Sequence, residues 1–140
     1  MGERLTIFSL GTNLGDRQAN IKTALKRLDE ELGSTYLRIS PVIETEAMGF
    51  DGEPFLNCVV EYATALEPEQ LLSLCKRIER EMGRTDPPEY DSEGRRIYRN
   101  RIIDIDILFC GDLKINTDKL TIPHPQVDTR PFIQKLLLLL

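Results

Sequence analysis

One run in the second half of the chain constrains the fold most, because it is apolar and β-branched yet carries two carboxylates. Arg101 to Phe109 reads R-I-I-D-I-D-I-L-F, a composition typical of a buried strand. Side chains alternate faces along a strand, so we expect Asp104 and Asp106 to share one face with Ile102 and Leu108. The opposite face should carry Arg101, Ile103, Ile105, Ile107 and Phe109.

Two aspartates side by side on one strand face repel each other unless a cation lies between them. Carboxylate oxygens suit hard divalent cations, and magnesium keeps coordination positions open for substrate phosphates. The pattern therefore favours a metal site at Asp104 and Asp106. A solvated sheet face is the alternative, and a D-x-D triplet is too common to exclude it.

The composition indicates a soluble globular chain with one domain over residues 1–140. It has 140 residues, of which 41% are hydrophobic and 29% charged, enough to bury a core. The net charge of −5 argues against a nucleic-acid binder, and no apolar run approaches the length of a membrane span. Cys58, Cys75 and Cys110 lie in apolar segments without a C-x-x-C pair, which predicts reduced core residues in a cytoplasmic protein. We expect a monomer, with a dimer through a sheet edge left open.

Periodicity and turn residues predict strands at Leu5–Leu10, Thr35–Val42, Phe55–Thr64 and Arg101–Phe109, with helices from Asp16 to Gly33 and from Pro68 to Gly83. This order predicts a ferredoxin-like βαββαβ α+β sandwich, with a central antiparallel sheet, helices on one face and an extra short C-terminal hairpin. The other face is left for a ligand. The Gly-rich turn from Gly11 to Asp16 lacks the lysine of a phosphate cradle and is interpreted as structural. The closing Leu136 to Leu140 either docks on the core or marks a chain that is cut short.

Positive charge concentrates in the irregular stretch before the acidic strand. Guanidinium groups fork onto phosphate oxygens, and carboxylates hold magnesium, so the two together favour phosphoryl or nucleotidyl transfer. His124 lies between Pro123 and Pro125 and could donate to a phosphate, with a purely structural histidine as the alternative. The arginines of this stretch are Arg84, Arg95, Arg96, Arg99 and Arg101.

Several motifs in one order resemble the 6-hydroxymethyl-7,8-dihydropterin pyrophosphokinase family of folate biosynthesis. They are S-L-G-T-N-L-G-D-R near the start, P-F-L-N-C-V-V, D-I-D-I, and L-T-I-P-H-P followed by R-P-F. The resemblance runs from Leu5 to Phe132. It implies that the pyrophosphoryl group of ATP is transferred to the hydroxymethyl group of the pterin, leaving AMP.

The resemblance also implies roles for individual residues. Asp104 and Asp106 match aspartates that hold two Mg²⁺ ions and act in catalysis together with Arg84 and Arg101. The pterin side is expected to comprise Thr45, Glu46, Met48, Phe55, Asn57, Tyr98 and Phe132. The ATP side is expected to comprise Arg84, Arg101, Lys119, Thr121, His124 and Arg130.

The sequence departs from the family pattern before the acidic strand and at the end of the chain. Tyr98-Arg99-Asn100-Arg101 replaces the common W-G-P-R, and an acidic insertion spans Asp86 to Gly94, so the phosphate contact among Arg95, Arg96 and Arg99 stays open. The usual tail after Phe132 is short, and fusion to another folate enzyme is not decided by the sequence. Two alternatives remain: a non-catalytic ferredoxin-like small-molecule-binding module, or a metal-dependent nucleotidyltransferase.

Overall fold

The computed structural model describes residues 2–46, 52–83, 92–93 and 102–140, together with the backbone of residues 89–90 and 96–97. The chain alternates strands and helices. In chain order the elements are β1 Arg4–Thr12, α1 Arg17–Leu32, β2 Arg38–Ile39, β3 Ile43–Thr45, β4 Phe55–Thr64, α2 Pro68–Glu81, β5 Glu89–Tyr90, β6 Arg96–Ile97, β7 Asp104–Cys110, β8 Ile115–Asn116, β9 Thr121–Ile122, α3 Gln126–Thr129 and α4 Pro131–Leu139.

A five-stranded antiparallel sheet forms the centre of the described part of the chain. Its order is β2-β4-β1-β7, and β3 also pairs with β4. β1 and β4 are central, and all the pairings are antiparallel. The pairs β5–β6 and β8–β9 form two small separate sheets. The prediction of an α+β fold with a central antiparallel sheet and a short later hairpin is confirmed.

The two long helices cover one face of the sheet. α1 begins after Asp16, whose carboxylate accepts a hydrogen bond from Ala19 N at 3.0 Å, and it ends at Gly33, whose φ of 70° suits a residue without a side chain. α2 begins at Pro68, a residue favoured in the first turn because its missing N–H is not needed there. The buried side chains on this face include Phe8, Leu10, Leu28, Val60, Leu71, Ile78 and Ile105.

The C-terminal helix α4 covers part of the opposite face. Ile133 and Leu136 are fully buried there and pack with Val59 and Leu108. The prediction that the helices lie on one face was therefore wrong for α4. The sheet is apolar on both faces at this point, and the three-residue spacing of Ile133 and Leu136 gives α4 a stripe that can cover the second face. The closing leucine run thus docks on the core through Leu136.

A register shift in the pairing of β7 with β1 changes which face Phe109 occupies. Phe8 is opposite Ile107, whereas the preceding Ile7 is opposite Phe109, so Leu108 is the extra residue of a β-bulge. Phe109 consequently packs against the α4 side of the sheet, with Leu108. The prediction that Phe109 faces away from Leu108 was wrong, because strict alternation does not hold across a bulge.

Only Arg38–Ile39 (β2) of the predicted strand from Thr35 to Val42 forms a strand, and a second short strand, β3, begins after it at Ile43. Pro41 lies between β2 and β3 and has no N–H for a ladder hydrogen bond. Ser40, just before it, accepts a hydrogen bond from Val59 N through its hydroxyl at 2.9 Å. β3 extends to Thr45, in a stretch that the sequence predicted as loop.

The three cysteines are free and buried, as predicted. Desolvation raises the pKa of the Cys58 thiol to about 12, and burial also raises the pKa values of Cys75 and Cys110. They therefore behave as core side chains rather than as nucleophiles. Within the described ranges, no helix is both long and apolar enough to cross a membrane.

The packing of α4 can be tested with two leucines of the same helix. Leu136→Ala should lower the free energy of unfolding by about 2–4 kcal/mol, because it leaves a cavity in a buried cluster. Leu138 is 87% exposed, so Leu138→Ala should change it by less than about 0.5 kcal/mol. Urea unfolding measures both, and similar values for the two variants would contradict the docking of α4.

Candidate active site

Three residues on three neighbouring strands form a row across the sheet. Gly11 on β1 is directly opposite Asp104 on β7 and directly opposite Asn57 on β4. Neighbouring strands are about 4.8 Å apart, so Asp104 and Asn57 are separated by roughly 10 Å. The row lies on the face of the sheet that α4 partly covers. Ser9, two residues before Gly11 on β1, is opposite both Asp106 and Val59, and Val59 packs against α4. A carboxylate region and an amide region thus share one surface, with glycine between them.

Because Gly11 has no side chain, no side chain projects from β1 between Asp104 and Asn57. A Cβ atom at this position would lie 3.1 Å from Asn57 Oδ1 and 3.6 Å from Phe55 Cδ1. The sequence interpretation treated Gly11 only as part of a turn, whereas the structure places it inside β1. A glycine inside a strand is a known sign of a close approach by a neighbouring group or ligand, and that signal was available in the sequence.

Asn57 is held in a defined orientation. Its side chain is buried, and Nδ2 donates a hydrogen bond to Thr45 Oγ1 at 2.7 Å. Thr45 is in turn opposite Phe55 across the β3–β4 pairing. The structure therefore brings together three of the residues predicted for the pterin side. Glu46 follows β3 and is exposed, and Met48 lies outside the described residues.

Asp104 and Asp106 lie on the same face of β7, as the strand pattern predicted, and both are half-buried. His124 approaches Asp106, with 3.8 Å between His124 Nε2 and Asp106 Oδ1. His124 Nδ1 accepts a hydrogen bond from Gln126 N at 3.1 Å. An acceptor nitrogen carries no proton, so the proton of the neutral ring is on Nε2, the nitrogen nearer Asp106.

The backbone around His124 is tied to the acidic strand. His124 N donates to Leu108 O at 3.0 Å, and β9, which begins at Thr121, packs beside β7.

Lys119 is exposed just before β9. Arg130 lies beside Phe132, with 5.9 Å between the guanidinium carbon and the ring centroid, a cation–π distance. The arginines predicted before the acidic strand lie outside the described residues, and so does Tyr98. These arginines are Arg84, Arg95, Arg99 and Arg101, together with the side chain of Arg96.

The model of the 7,8-dihydro-6-hydroxymethylpterin-pyrophosphokinase family matches residues 7–140. The chain belongs to this family. The family resemblance stated from the motifs is thereby confirmed.

Individual relatives agree with the family match. A 2-amino-4-hydroxy-6-hydroxymethyldihydropteridine pyrophosphokinase of Porphyromonas gingivalis is 40% identical over 132 residues, which cover 93% of this chain and 86% of the relative. A Bacillus subtilis protein of the same name is 33% identical over 92% of this chain and 73% of its own length. A folate synthesis bifunctional protein of Arabidopsis thaliana is 42% identical over 91% of this chain, but the matched part is only 25% of that protein. The chain thus spans about a quarter of the plant relative.

One buried carboxylate beside the acidic strand of this pyrophosphokinase family member was not predicted from the sequence. Glu79 on α2 is 2% exposed, and its Oε2 accepts a hydrogen bond from Ile105 N at 2.8 Å. Its Oε1 lies 3.7 Å from Lys76 Nζ. Ile105 stands between the two aspartates on an edge strand, so Glu79 satisfies a strand-edge N–H and fixes the backbone that carries them. The available signal was a glutamate on the apolar face of α2, four residues after Cys75.

The two carboxylates of β7 fit a magnesium ion whose coordination is completed by the substrate. Among the residues that the structure describes, no group of three or more His, Cys, Asp and Glu side chains could hold a metal by itself. Magnesium differs from zinc in this respect, because it commonly binds to one or two carboxylates, several waters and substrate phosphates. Two half-buried aspartates on one strand face match that donor set.

Gly11→Ala tests how closely Asn57 approaches β1. The added Cβ, 3.1 Å from Asn57 Oδ1, should force the amide to shift and should lower the free energy of unfolding by about 1–3 kcal/mol. Gly2 has nothing within 4 Å of an added Cβ, so Gly2→Ala is the matched control. Urea unfolding and the NMR resonances of the Asn57 side-chain amide measure the two effects. A Gly11→Ala protein with wild-type stability and resonances would contradict the close approach.

Proposed function

We propose that this chain transfers the pyrophosphoryl group of ATP to the hydroxymethyl group of 6-hydroxymethyl-7,8-dihydropterin, giving AMP and the pterin pyrophosphate, a step of folate biosynthesis. The family match over residues 7–140 carries the proposal. The row formed by Asp104, Gly11 and Asn57 supports it, because a carboxylate for phosphate chemistry and a buried amide for a heterocycle share one surface.

The pterin binds at the Asn57 end of the row. A pterin ring edge presents both donors and acceptors, and an asparagine amide offers both in return. The hydrogen bond to Thr45 fixes the amide before the ligand arrives, which lowers the ordering cost of binding. Phe55 and Phe132 supply aromatic surface for the flat ring, with Phe132 stacking on it. We also assign Glu46, Met48 and Tyr98 to pterin binding.

Asp104 and Asp106 would hold two magnesium ions. When bound, magnesium neutralises phosphate charge and favours deprotonation of the attacking hydroxyl. Because both aspartates project from one strand face, they keep a fixed spacing. Glu79 supports that spacing through Ile105 N.

The triphosphate binds on the His124 side of β7. The Nε2–H of His124 donates to a phosphate oxygen, and its ring orientation is set by the hydrogen bond from Gln126 N. Transfer of a pyrophosphoryl group needs charge neutralisation and alignment more than a covalent nucleophile. The cationic and polar groups assigned to this side are Arg84, Arg101, Lys119, Thr121 and Arg130, of which Arg84 and Arg101 act in catalysis.

The proposal extends to the organisation of the protein. Residues 1–140 form a single pterin pyrophosphokinase domain with a ferredoxin-like arrangement, supported by a sheet order in which β1 and β4 are central. The protein acts in the cytoplasm, which the three free, buried cysteines support, and it acts as a monomer.

The reaction is tested with ATP, magnesium and 6-hydroxymethyl-7,8-dihydropterin, followed by separation of the adenine nucleotides. AMP that forms only when pterin and metal are both present is the expected result. ADP would indicate a simple kinase, and free pyrophosphate would indicate nucleotidyl transfer. A folded protein that consumes no ATP would indicate a binding module.

Asp104→Asn and Asp106→Asn should each lower kcat by at least about 100-fold, because a neutral amide holds magnesium far less well than a carboxylate. Both variants should stay folded, since the aspartates are only half-buried. Asp112 is exposed in the turn after β7, so Asp112→Asn is the control for loss of one negative charge. Steady-state kinetics at the magnesium concentration that half-saturates the wild type measure the effect. Near-normal turnover in either site variant would exclude that aspartate as a metal ligand.

Asn57→Ala should raise KM for the pterin by about 10-fold or more, because it removes hydrogen bonds from a buried polar recognition site. KM for ATP should change less than about twofold, since the amide is roughly 10 Å from the carboxylate strand. Asn116, exposed on β8, gives the control Asn116→Ala. An equal rise for both ligands would mean that Asn57 does not belong specifically to the pterin pocket.

A further inference from the structure

Arg17, the first residue of α1, reaches away from its helix to both ends of the connection between β3 and β4. Its Nη1 donates to Glu44 Oε2 at 2.9 Å and to Pro54 O at 2.8 Å. Glu44 lies in β3, and Pro54 immediately precedes β4. One guanidinium group therefore binds the two ends of this connection together.

A second residue from the same region binds the connection at a neighbouring point. Asn13 is 1% exposed, and its Nδ2 donates to Glu53 O at 3.0 Å. Asn13 directly follows β1, and Arg17 begins α1. Both donors thus project from the junction of β1 and α1, which is itself fixed because Asn20 donates to Thr12 Oγ1 and to Leu14 O. Arg17 also contacts β3, through Glu44.

β3 needs such an anchor because its own pairing is short. It has three residues and, within the part of the chain that the structure describes, pairs with β4 alone, and so short an edge strand gains few ladder hydrogen bonds. Its last residue, Thr45, is opposite Phe55 and accepts the hydrogen bond that orients Asn57. A displacement of β3 would therefore move Thr45 and change the orientation of the Asn57 side chain.

We propose that Arg17 is a positioning residue for the pterin end of the site. By bridging Glu44 and Pro54, it holds β3 against the start of β4 and so keeps Thr45 in place to orient Asn57. Arg17 needs no contact with the pterin for this role. The inference rests on the proposed function for its substrate, but the anchoring of β3 can be measured without any substrate.

A surface ion pair contributes little to global stability, so the consequence of losing Arg17 should be local. Arg17→Met keeps the aliphatic stem and removes the donors. It should speed hydrogen exchange of the Ile43, Glu44 and Thr45 amides by about tenfold, while amides at the centre of β4 keep their protection. It should also raise KM for the pterin by about tenfold, with KM for ATP changed less than about twofold, because a misplaced binding group costs affinity only for the ligand it contacts.

Arg27 provides a matched control on the same helix. Its side chain is 25% exposed, against 29% for Arg17, and it binds Glu31 and Glu81 rather than the β3–β4 connection. Arg27→Met should leave β3 exchange and both KM values unchanged. Arg17→Lys retains the charge but presents a more compact donor group, so it should restore part of the pterin affinity.

The outcomes separate the inference from the proposed function. A wild-type protein that forms no AMP contradicts the proposed function and the pterin role of Arg17, and hydrogen exchange then still decides whether Arg17 anchors β3. An active wild type with unchanged β3 exchange in Arg17→Met overturns the inference alone. An equal rise of both KM values in Arg17→Met also overturns it, because a general structural role would explain that result.

Discussion

The register between β7, β1 and β4 is the constraint on which the candidate site depends. A shift of one residue in either pairing would turn Asp104 or Asn57 to the face covered by α1 and α2 and separate them. The long β1–β4 pairing, from Arg4 opposite Thr64 to Thr12 opposite Leu56, makes such a shift costly because every apolar side chain of the core would also move. The packing of the apolar core therefore fixes the positions of Asp104 and Asn57, although neither side chain belongs to that core.

The carboxylate strand is fixed less directly, since β7 lies at an edge of the sheet. On one side it pairs with β1, where a bulge interrupts the register near Ile7. On the other side Glu79 accepts the hydrogen bond of Ile105 N. A buried carboxylate is costly unless it is hydrogen-bonded, and the hydrogen bond from Ile105 N both meets that need and ties Glu79 to the strand that carries Asp104 and Asp106. All buried side-chain nitrogen and oxygen atoms in the described part of the chain have a hydrogen-bond partner.

The sequence was informative where one local period governs a whole element. The shared face of Asp104 and Asp106 follows from strand alternation, and α1 and α2 follow from apolar spacing with Asp16 and Pro68 at their starts. It failed where the outcome depends on partners distant in sequence. The bulge that redirects Phe109 is a property of the pairing with β1, and β3 forms because β4 offers it an edge. The motifs indicated Asn57 and His124, but not the hydrogen bonds that orient them, which Asn57 donates to Thr45 and His124 accepts from Gln126.

The two ends of the site differ in how they are supported, and this difference has a functional consequence. The aspartates project from a seven-residue strand with Ile105 and Ile107 buried on its other face. The Asn57 end instead relies on the three-residue β3, a threonine hydroxyl and side-chain contacts from the β1–α1 junction. Regions with few buried apolar contacts open at lower free energy than the core. Under the proposed function, the carboxylates would therefore keep their spacing while the β3 end of the site adjusts at smaller cost as a flat ring enters and leaves.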